Sequence, residues 1–136
     1  MSELQAIENG QMGRVAYARI APNEDLVQSI EKLCLAAEFK NAFVRGALGS
    51  LVDACMGKVD GTLVQVSGPA VENVSLAGEV RLGEDGSLKA NLTGVVADPD
   101  GNVSGGQFVA GANPVCMTLE VTLEEWLPEP TLGKNT

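Results

Sequence analysis

The amino-acid sequence predicts one α+β domain, built as a mixed, largely antiparallel β-sheet with an N-terminal β-α-β unit and one long helix. Three observations lead to this fold class. The chain has 136 residues, the size of a single domain with its own core. Only one segment shows clear helical spacing of apolar residues, and the second half consists of short apolar runs separated by turn residues. Because 45% of the residues are hydrophobic but only 4% are aromatic, we expect a core of Val, Leu and Ala with few rings.

The β-α-β unit begins with a strand over residues 14–20. There Val15, Tyr17 and Arg19 alternate with Ala16, Ala18 and Ile20, which is typical of a strand with a buried face. Pro22 ends this strand, and Asn23 is expected to cap a helix. The carboxylates of Glu24 and Asp25 in the first turn would be stabilised by the positive end of the helix dipole. Apolar residues at helical spacing then give the helix one face that packs on a sheet: Leu26, Ile30, Leu33 and Ala37.

The second strand of the unit covers residues 42–48, after Asn41 has ended the helix. A strand–helix–strand segment of this kind normally joins two parallel strands by a right-handed crossover. From residue 62 onward, turn signals such as Glu84-Asp85-Gly86 alternate with short apolar runs, which predicts antiparallel hairpins. The predicted strands cover residues 62–66, 71–82, 88–96, 103–109 and 115–123.

We expect residues 13–126 to form the domain, between an N-terminal arm over residues 1–12 and a C-terminal tail over residues 127–136. Pro128 and Pro130 mark the second boundary because proline cannot donate to a strand ladder. No segment approaches a membrane span in length, and the N-terminus lacks the charged and apolar parts of a leader. The expected compartment is the cytoplasm, with no membrane as a partner.

The charge of the chain argues against nucleic acid as a partner. Nine Lys and Arg face eighteen Asp and Glu, so the net charge is −9, and the basic residues form no run. Affinity for phosphates comes from clustered cations that release counterions. The chain by itself is therefore expected to repel a polyanion.

The sequence contains no histidine, which excludes Ser-His and Cys-His nucleophiles, histidine bases and His-ligated zinc. Cys34, Cys55 and Cys116 are odd in number and widely spaced, which favours packing thiols in a reducing compartment. We expect no metal and no cofactor. Catalysis would need carboxylates, Lys, Tyr or backbone groups.

Two segments carry carboxylates that could bind calcium or act in catalysis, but each has a simpler structural interpretation. Asp98-Pro99-Asp100-Gly101-Asn102 has alternating oxygen ligands, but its glycine comes too early for a calcium loop, and Val109 occupies the position of the terminal carboxylate. A tight turn is the favoured interpretation. Glu124 and Glu125 are adjacent, so on a strand they point to opposite faces, and we expect solvated charge at the strand end.

Two glycine segments are the best pocket candidates. Gly46-Ala47-Leu48-Gly49-Ser50 follows a predicted strand, and a bend or bulge is favoured over a phosphate cradle. Gly105-Gly106-Gln107 is the second segment, where the missing side chains of the glycines let another backbone or a ligand approach.

A series of motifs follows the order of the predicted elements: GALG at residues 46–49, VSLAG at 74–78, ADPDGNVSGG at 97–106 and TLEV at 118–121. In this order they resemble the PPC domain, the "plants and prokaryotes conserved" domain, over residues 13–126. The resemblance implies a fold similar to that of acetolactate decarboxylase and assembly as a homotrimer. Plant members join this domain to AT-hook motifs that bind DNA, but this sequence contains no Arg-Gly-Arg core.

The resemblance also implies a candidate pocket. Many prokaryotic members look able to bind a metal through an H-x-H pair and a later histidine. Aligned on the Asp98 turn, these places fall at Asn91, Thr93 and Gln107 here, and neutral polar residues bind zinc poorly. The candidate ligand site consists of the following residues: Asn91, Thr93, Gly105, Gly106 and Gln107.

These observations leave several functions open. The favoured one is a PPC-domain protein of unassigned activity, a homotrimer that binds a small polar ligand or regulates, without catalytic metal. One alternative is a scaffold that binds a protein partner. Another is a metal-free enzyme using Arg45, Glu72 or Glu120, although a non-enzymatic role is favoured. DNA binding is the least favoured, and neither ligand nor partner can be named from the sequence.

Overall fold

The computed structural model describes residues 7–130, which form one eight-stranded sheet and one helix. The strands lie in the spatial order β1-β8-β2-β5-β6-β7-β3-β4, and every strand pair within these residues is antiparallel. The α+β class and the predominantly antiparallel sheet are confirmed. In chain order the elements are β1 (Gly10–Ile20), α1 (Leu26–Ala37), β2 (Asn41–Leu51), β3 (Ala54–Gly57), β4 (Leu63–Val66), β5 (Val71–Leu82), β6 (Leu88–Ala97), β7 (Val103–Phe108) and β8 (Val115–Pro128).

The predicted β-α-β unit does not place two neighbouring parallel strands in the sheet. β8 lies between β1 and β2 and pairs antiparallel with both. β1 and β2 therefore run parallel to each other, as expected, but they are not hydrogen-bonded neighbours, and the parallel pair that a mixed sheet requires is missing from residues 7–130. The physical reason is that β8 is long and buries Leu119, Val121 and Leu123, so both of its edges find partners when it inserts between the two N-terminal strands.

The helix begins two residues later than the sequence predicts. Asp25, in extended conformation, is the N-cap, and its carboxylate accepts the Gln28 N–H at 2.9 Å. Asn23 has a φ of 70° instead, and its N–H donates to the Val115 carbonyl at 2.7 Å. Val115 in turn donates to the Glu24 carbonyl at 2.9 Å. This pairing with the start of β8 holds Asn23 in a turn and Asp25 in an extended conformation, which delays the helix.

The helix also ends earlier than Asn41, which is the first residue of β2. Glu38 adopts a left-handed conformation, with φ of 61°, and its N–H donates to the Leu35 carbonyl. The N–H of Phe39 reaches the Cys34 carbonyl at 2.9 Å. These two bonds form a Schellman motif, and burial of the Phe39 ring fixes the chain reversal.

The core lies between α1 and one face of the sheet. From the helix, Leu26 and Ile30 are fully buried, and they share one cluster with Val80 of β5 and Leu92 of β6. As expected from the composition, aliphatic residues dominate this cluster, and Phe39 and Phe108 are its rings. The helix therefore covers one side of the sheet.

The opposite side, here called the open face, is continuous across the sheet. Val15 of β1 lies opposite Glu124 of β8, which lies opposite Phe43 of β2. Phe43 lies opposite Glu79 of β5, and Glu79 opposite Asn91 of β6. Because directly opposed residues point to the same side of a sheet, these side chains share one face. The open face thus brings the N-terminal strands and the candidate ligand residues onto one surface.

The strand bounds extend the regular structure at both ends of the predicted domain. β1 begins at Gly10 and pairs there with Pro128, the last residue of β8. Residues 10–12 and 127–128, expected in the arm and tail, thus belong to strands, because Gln11 pairs with Leu127 and Met12 with Trp126. The rest of the arm and tail includes residues 1–6 and 131–136, which lie outside the described part of the chain. Within residues 7–130, no helix has the length and apolar character to cross a membrane.

Candidate functional site

A groove of about 680 Å³ lies on the open face, where the β3–β4 hairpin adjoins β5, β6 and β7. We call it the glycine groove, because glycines from three strands lie in its wall. Its lining contains four of the five residues predicted from the sequence. The lining residues are Gly57, Lys58, Val59, Ser75, Leu76, Ala77, Thr93, Gly94, Val95, Gly105, Gly106 and Gln107.

The shape of the groove depends on the close approach of β7 and β3. These strands pair only through Met56 with Phe108 and Gly57 with Gln107. A Cβ atom at Gly106 would lie 2.8 Å from the Gly57 carbonyl oxygen and 3.1 Å from the Met56 Cβ. Only glycine at this position lets the two strands come so close. The sequence-based expectation of a close backbone approach at Gly106 is confirmed.

The polar side of the groove comes from two neighbouring strands. Thr93 of β6 lies directly opposite Gln107 of β7, so both side chains point to the open face. The Gln107 amide donates to the Asn91 side-chain oxygen at 3.3 Å. Asn91 itself does not line the groove, but this bond limits the orientation of Gln107. The three polar residues expected from the sequence therefore come together.

The donor chemistry of this cluster does not fit a transition metal. Asn91, Thr93 and Gln107 offer neutral amide and hydroxyl groups, whereas metals of this class prefer imidazole, thiolate or carboxylate. Within residues 7–130 no three His, Cys, Asp or Glu side chains come close enough to hold a metal ion. We therefore derive no metal-dependent chemistry at this site.

The two glutamates at the end of the predicted last strand are not solvated charges. The Glu125 carboxylate lies on the helix side, where Arg14 binds it through both oxygens, at 3.0 and 3.1 Å. These hydrogen bonds hold the pKa of Glu125 below its ordinary value. Glu124 points to the open face and pairs with Arg45 at 2.9 Å. The prediction of opposite faces is confirmed, but that of solvated charge is wrong, because β8 continues past both residues.

The residues considered for a metal-free enzyme do not form one catalytic cluster. Arg45 is held by Glu124, as described above, and Glu120 is held by Arg19 at 2.9 Å. Glu72 lies on β5 opposite Ala97. Two of the three charges are thus neutralised by different partners.

The remaining sequence candidates have structural roles. Cys34 and Cys55 are buried as expected, whereas Cys116 is only half-buried. Burial raises the pKa of the Cys34 thiol to about 11, which keeps it protonated and unreactive. The Asp98 segment is a turn, since the Asp98 carboxylate accepts the N–H groups of Asp100 and Asn102. β2 carries register shifts on both sides of residues 46–49, as expected for a glycine-based bulge.

Sequence reasoning missed one whole wall of the groove. β3 is short and fully apolar, so it shows no alternation that would predict a strand. Its hairpin contributes Gly57 and Lys58, and β5 contributes Ser75. The Asp60-Gly61 pair that follows Lys58 is a hairpin signal that could have revealed this element.

Comparison with solved structures finds the same fold in proteins of low sequence identity. A plant- and prokaryote-conserved (PPC) protein from Pyrococcus horikoshii is 22% identical, with a TM-score of 0.79, over 96% of this chain and 92% of that chain. A metal-containing protein from Archaeoglobus fulgidus is 22% identical, with a TM-score of 0.80, over 92% and 88%. A hypothetical protein from Salmonella enterica is 23% identical, with a TM-score of 0.74, over 87% and 80%. At these identities the likeness shows the fold alone.

A search of curated proteins finds no match to this chain. The family model described as the Plants and Prokaryotes Conserved (PCC) domain matches residues 7–127, nearly the whole of the described structure. This match confirms the resemblance carried by the glycine and turn motifs. The chain therefore belongs to the PCC (PPC) domain family.

Proposed function

We propose that this protein is a homotrimeric module that binds a small polar molecule in the glycine groove, without a catalytic metal. The observation that carries the proposal is the groove itself, in which Thr93 and Gln107 stand above a backbone wall that has no side chains at Gly105 and Gly106. Exposed backbone and convergent polar groups are the usual components of a small-ligand site. A family member with this donor set is better suited to hydrogen bonding than to metal chemistry.

The proposed assembly is supported by the open face. Tyr17 and Leu48 are 72% and 69% exposed there, although both lie within strands of the sheet. Large apolar side chains on an uncovered sheet face favour contact with another protein surface. Three copies are the assembly that membership of the PPC family suggests.

A native mass spectrum of gently purified protein tests both parts at once. The expected result is a trimer that carries additional mass from a bound small molecule. Gln107→Ala should remain a trimer and lose that mass, because it removes the amide that faces the groove. Gln28→Ala, an exposed glutamine of α1, is the matched control and should keep it.

A trimer without additional mass in the unmodified protein would contradict the ligand part and favour the second candidate function, a scaffold for a protein partner. That candidate rests on the exposed apolar residues of the open face. A monomer would contradict the assembly. Tight, salt-sensitive binding in a low-salt DNA shift assay would oppose both functions, since the net charge of −9 disfavours contact with phosphates.

A further inference from the structure

Lys58 is the one residue with a charged side chain in the lining of the glycine groove. Its backbone is fixed by the hairpin turn, because its N–H donates to the Thr62 carbonyl at 2.8 Å and its own carbonyl accepts the Gly61 N–H at 2.9 Å. The ion pairs within residues 7–130 all use arginines, so the Lys58 ammonium has no carboxylate partner there. The lining of the groove thus includes one unpaired cationic residue and is otherwise neutral.

Asp60, the acidic residue closest to Lys58 in sequence, is held by hydrogen bonds within the turn. One oxygen of Asp60 accepts both the N–H of Thr62 at 3.0 Å and its hydroxyl at 2.7 Å. These hydrogen bonds hold the pKa of Asp60 below its ordinary value, so it stays ionised while bound to the turn. The carboxylate does not line the groove, and the positive charge of Lys58 remains available to a ligand.

Building on the ligand-binding function proposed above, we propose that the glycine groove selects small molecules with a carboxylate and that Lys58 is the counter-ion. The chain carries a net charge of −9, so an anion approaches it favourably only where a local cation offsets the general repulsion. The remaining polar groups of Ser75, Thr93 and Gln107 are neutral donors and acceptors for the rest of the ligand.

The charge of the groove favours one carboxylate over a phosphate group. A phosphate monoester carries close to two negative charges, and its usual binding sites combine arginines with a helix N-terminus. No arginine and no helical residue belongs to the described lining. A single ammonium with hydroxyl and amide neighbours matches a singly charged carboxylate.

The test uses 3-hydroxybutyrate and 3-hydroxybutyramide as probes, because the two have nearly the same shape and differ in charge. Each is titrated into ¹⁵N-labelled protein, and the amide signals of Gly57, Thr93 and Gly106 are followed by NMR. The acid is expected to bind roughly fivefold more tightly than the amide, the size of an exposed ion-pair contribution. Lys58→Met should lower the affinity for the acid to that for the amide, and Lys58→Arg should retain the preference for the acid.

Lys32→Met is the matched control, since Lys32 is an exposed lysine of α1 outside the groove and the substitution removes the same charge. Equal affinity for acid and amide in the unmodified protein would overturn the role of Lys58 but leave the ligand-binding function standing. The role of Lys58 would also be overturned if Lys58→Met and Lys32→Met weakened acid binding equally. If neither probe shifts the groove signals up to its limit of solubility, both the carboxylate preference and the ligand-binding function are contradicted.

Discussion

At the residue scale, Asn113 connects three parts of the fold through hydrogen bonds. Its side-chain oxygen accepts the Cys55 N–H at 2.8 Å, and its amide donates to the carbonyls of Cys55 at 3.0 Å and Val109 at 2.8 Å. Its backbone N–H donates to the Asp25 carboxylate at 2.9 Å. Asn113 is fully buried, so these partners have no water to replace it. This one side chain therefore ties β3 to the loop before β8, beside the helix cap.

We predict that Asn113→Ala destabilises the domain by about 1–3 kcal/mol, because the buried Cys55 N–H loses its partner, whereas the carbonyls of Cys55 and Val109 still accept the N–H groups of Val109 and Ala112. Urea unfolding followed by circular dichroism measures the loss. Asn91→Ala, which removes one hydrogen bond at an exposed position, is the control and should have little effect. Equal unfolding midpoints for both variants would show that the Asn113 network contributes little.

At the element scale, three hairpin turns use the same device. Asp60, Asp85 and Asp98 each accept the backbone N–H of a residue further along the turn. A glycine with positive φ follows within each turn, at 89°, 85° and 87°. Backbone hydrogen bonds are the main cause that lowers the pKa of all three aspartates. The turns that place β4, β6 and β7 are thus stabilised by ionised carboxylates.

This device makes the hairpins sensitive to acid. Because the folded-state pKa of each aspartate is lowered, its contribution to stability is present above about pH 4 and is lost as the pH falls through the folded-state pKa. We compare the unmodified protein with the triple variant Asp60→Asn, Asp85→Asn, Asp98→Asn. The variant should unfold at lower urea concentration at pH 7, and the difference should shrink at a pH well below about 4, the ordinary aspartate pKa. A difference that is the same at both pH values would contradict the role of ionisation.

At the scale of the whole molecule, residues 7–130 cover the sheet on one side only. α1 packs over β6 and its neighbours, whereas the open face exposes Val15, Tyr17 and Leu48 and carries the ion pairs of Arg19 and Arg45. The glycine groove opens on this same face through Thr93 and Gln107. The proposed assembly and the proposed ligand site therefore share one surface.

We predict that Leu48→Glu converts the proposed trimer into monomers, because each copy would bury a charge where burial of the leucine contributes roughly 2 kcal/mol. Light scattering after gel filtration measures the subunit count. Leu35→Glu on α1 is a matched control, since Leu35 is 70% exposed and Leu48 is 69% exposed. A Leu48→Glu variant that stays a trimer, or a Leu35→Glu variant that dissociates, would place the subunit contact elsewhere.

The sequence determined the features that depend on local pattern. β5 has the bounds predicted from its apolar run, and the Asp85 and Asp98 turns join the hairpins as expected. The hairpin between β6 and β7 is also local, and the family resemblance, aligned on its turn, placed Thr93 and Gln107 in one candidate pocket. Family membership followed from the same motifs.

Tertiary structure decided the features that depend on distant partners. Insertion of β8 between β1 and β2 separated these two parallel strands, and the start of β8 held Asn23 out of the helix. The short β3 became a strand only by pairing with β4 and β7, which brought Lys58 to the glycine groove. Periodicity reports how a segment divides its side chains between core and solvent, but which strand lies beside it depends on contacts that close long loops.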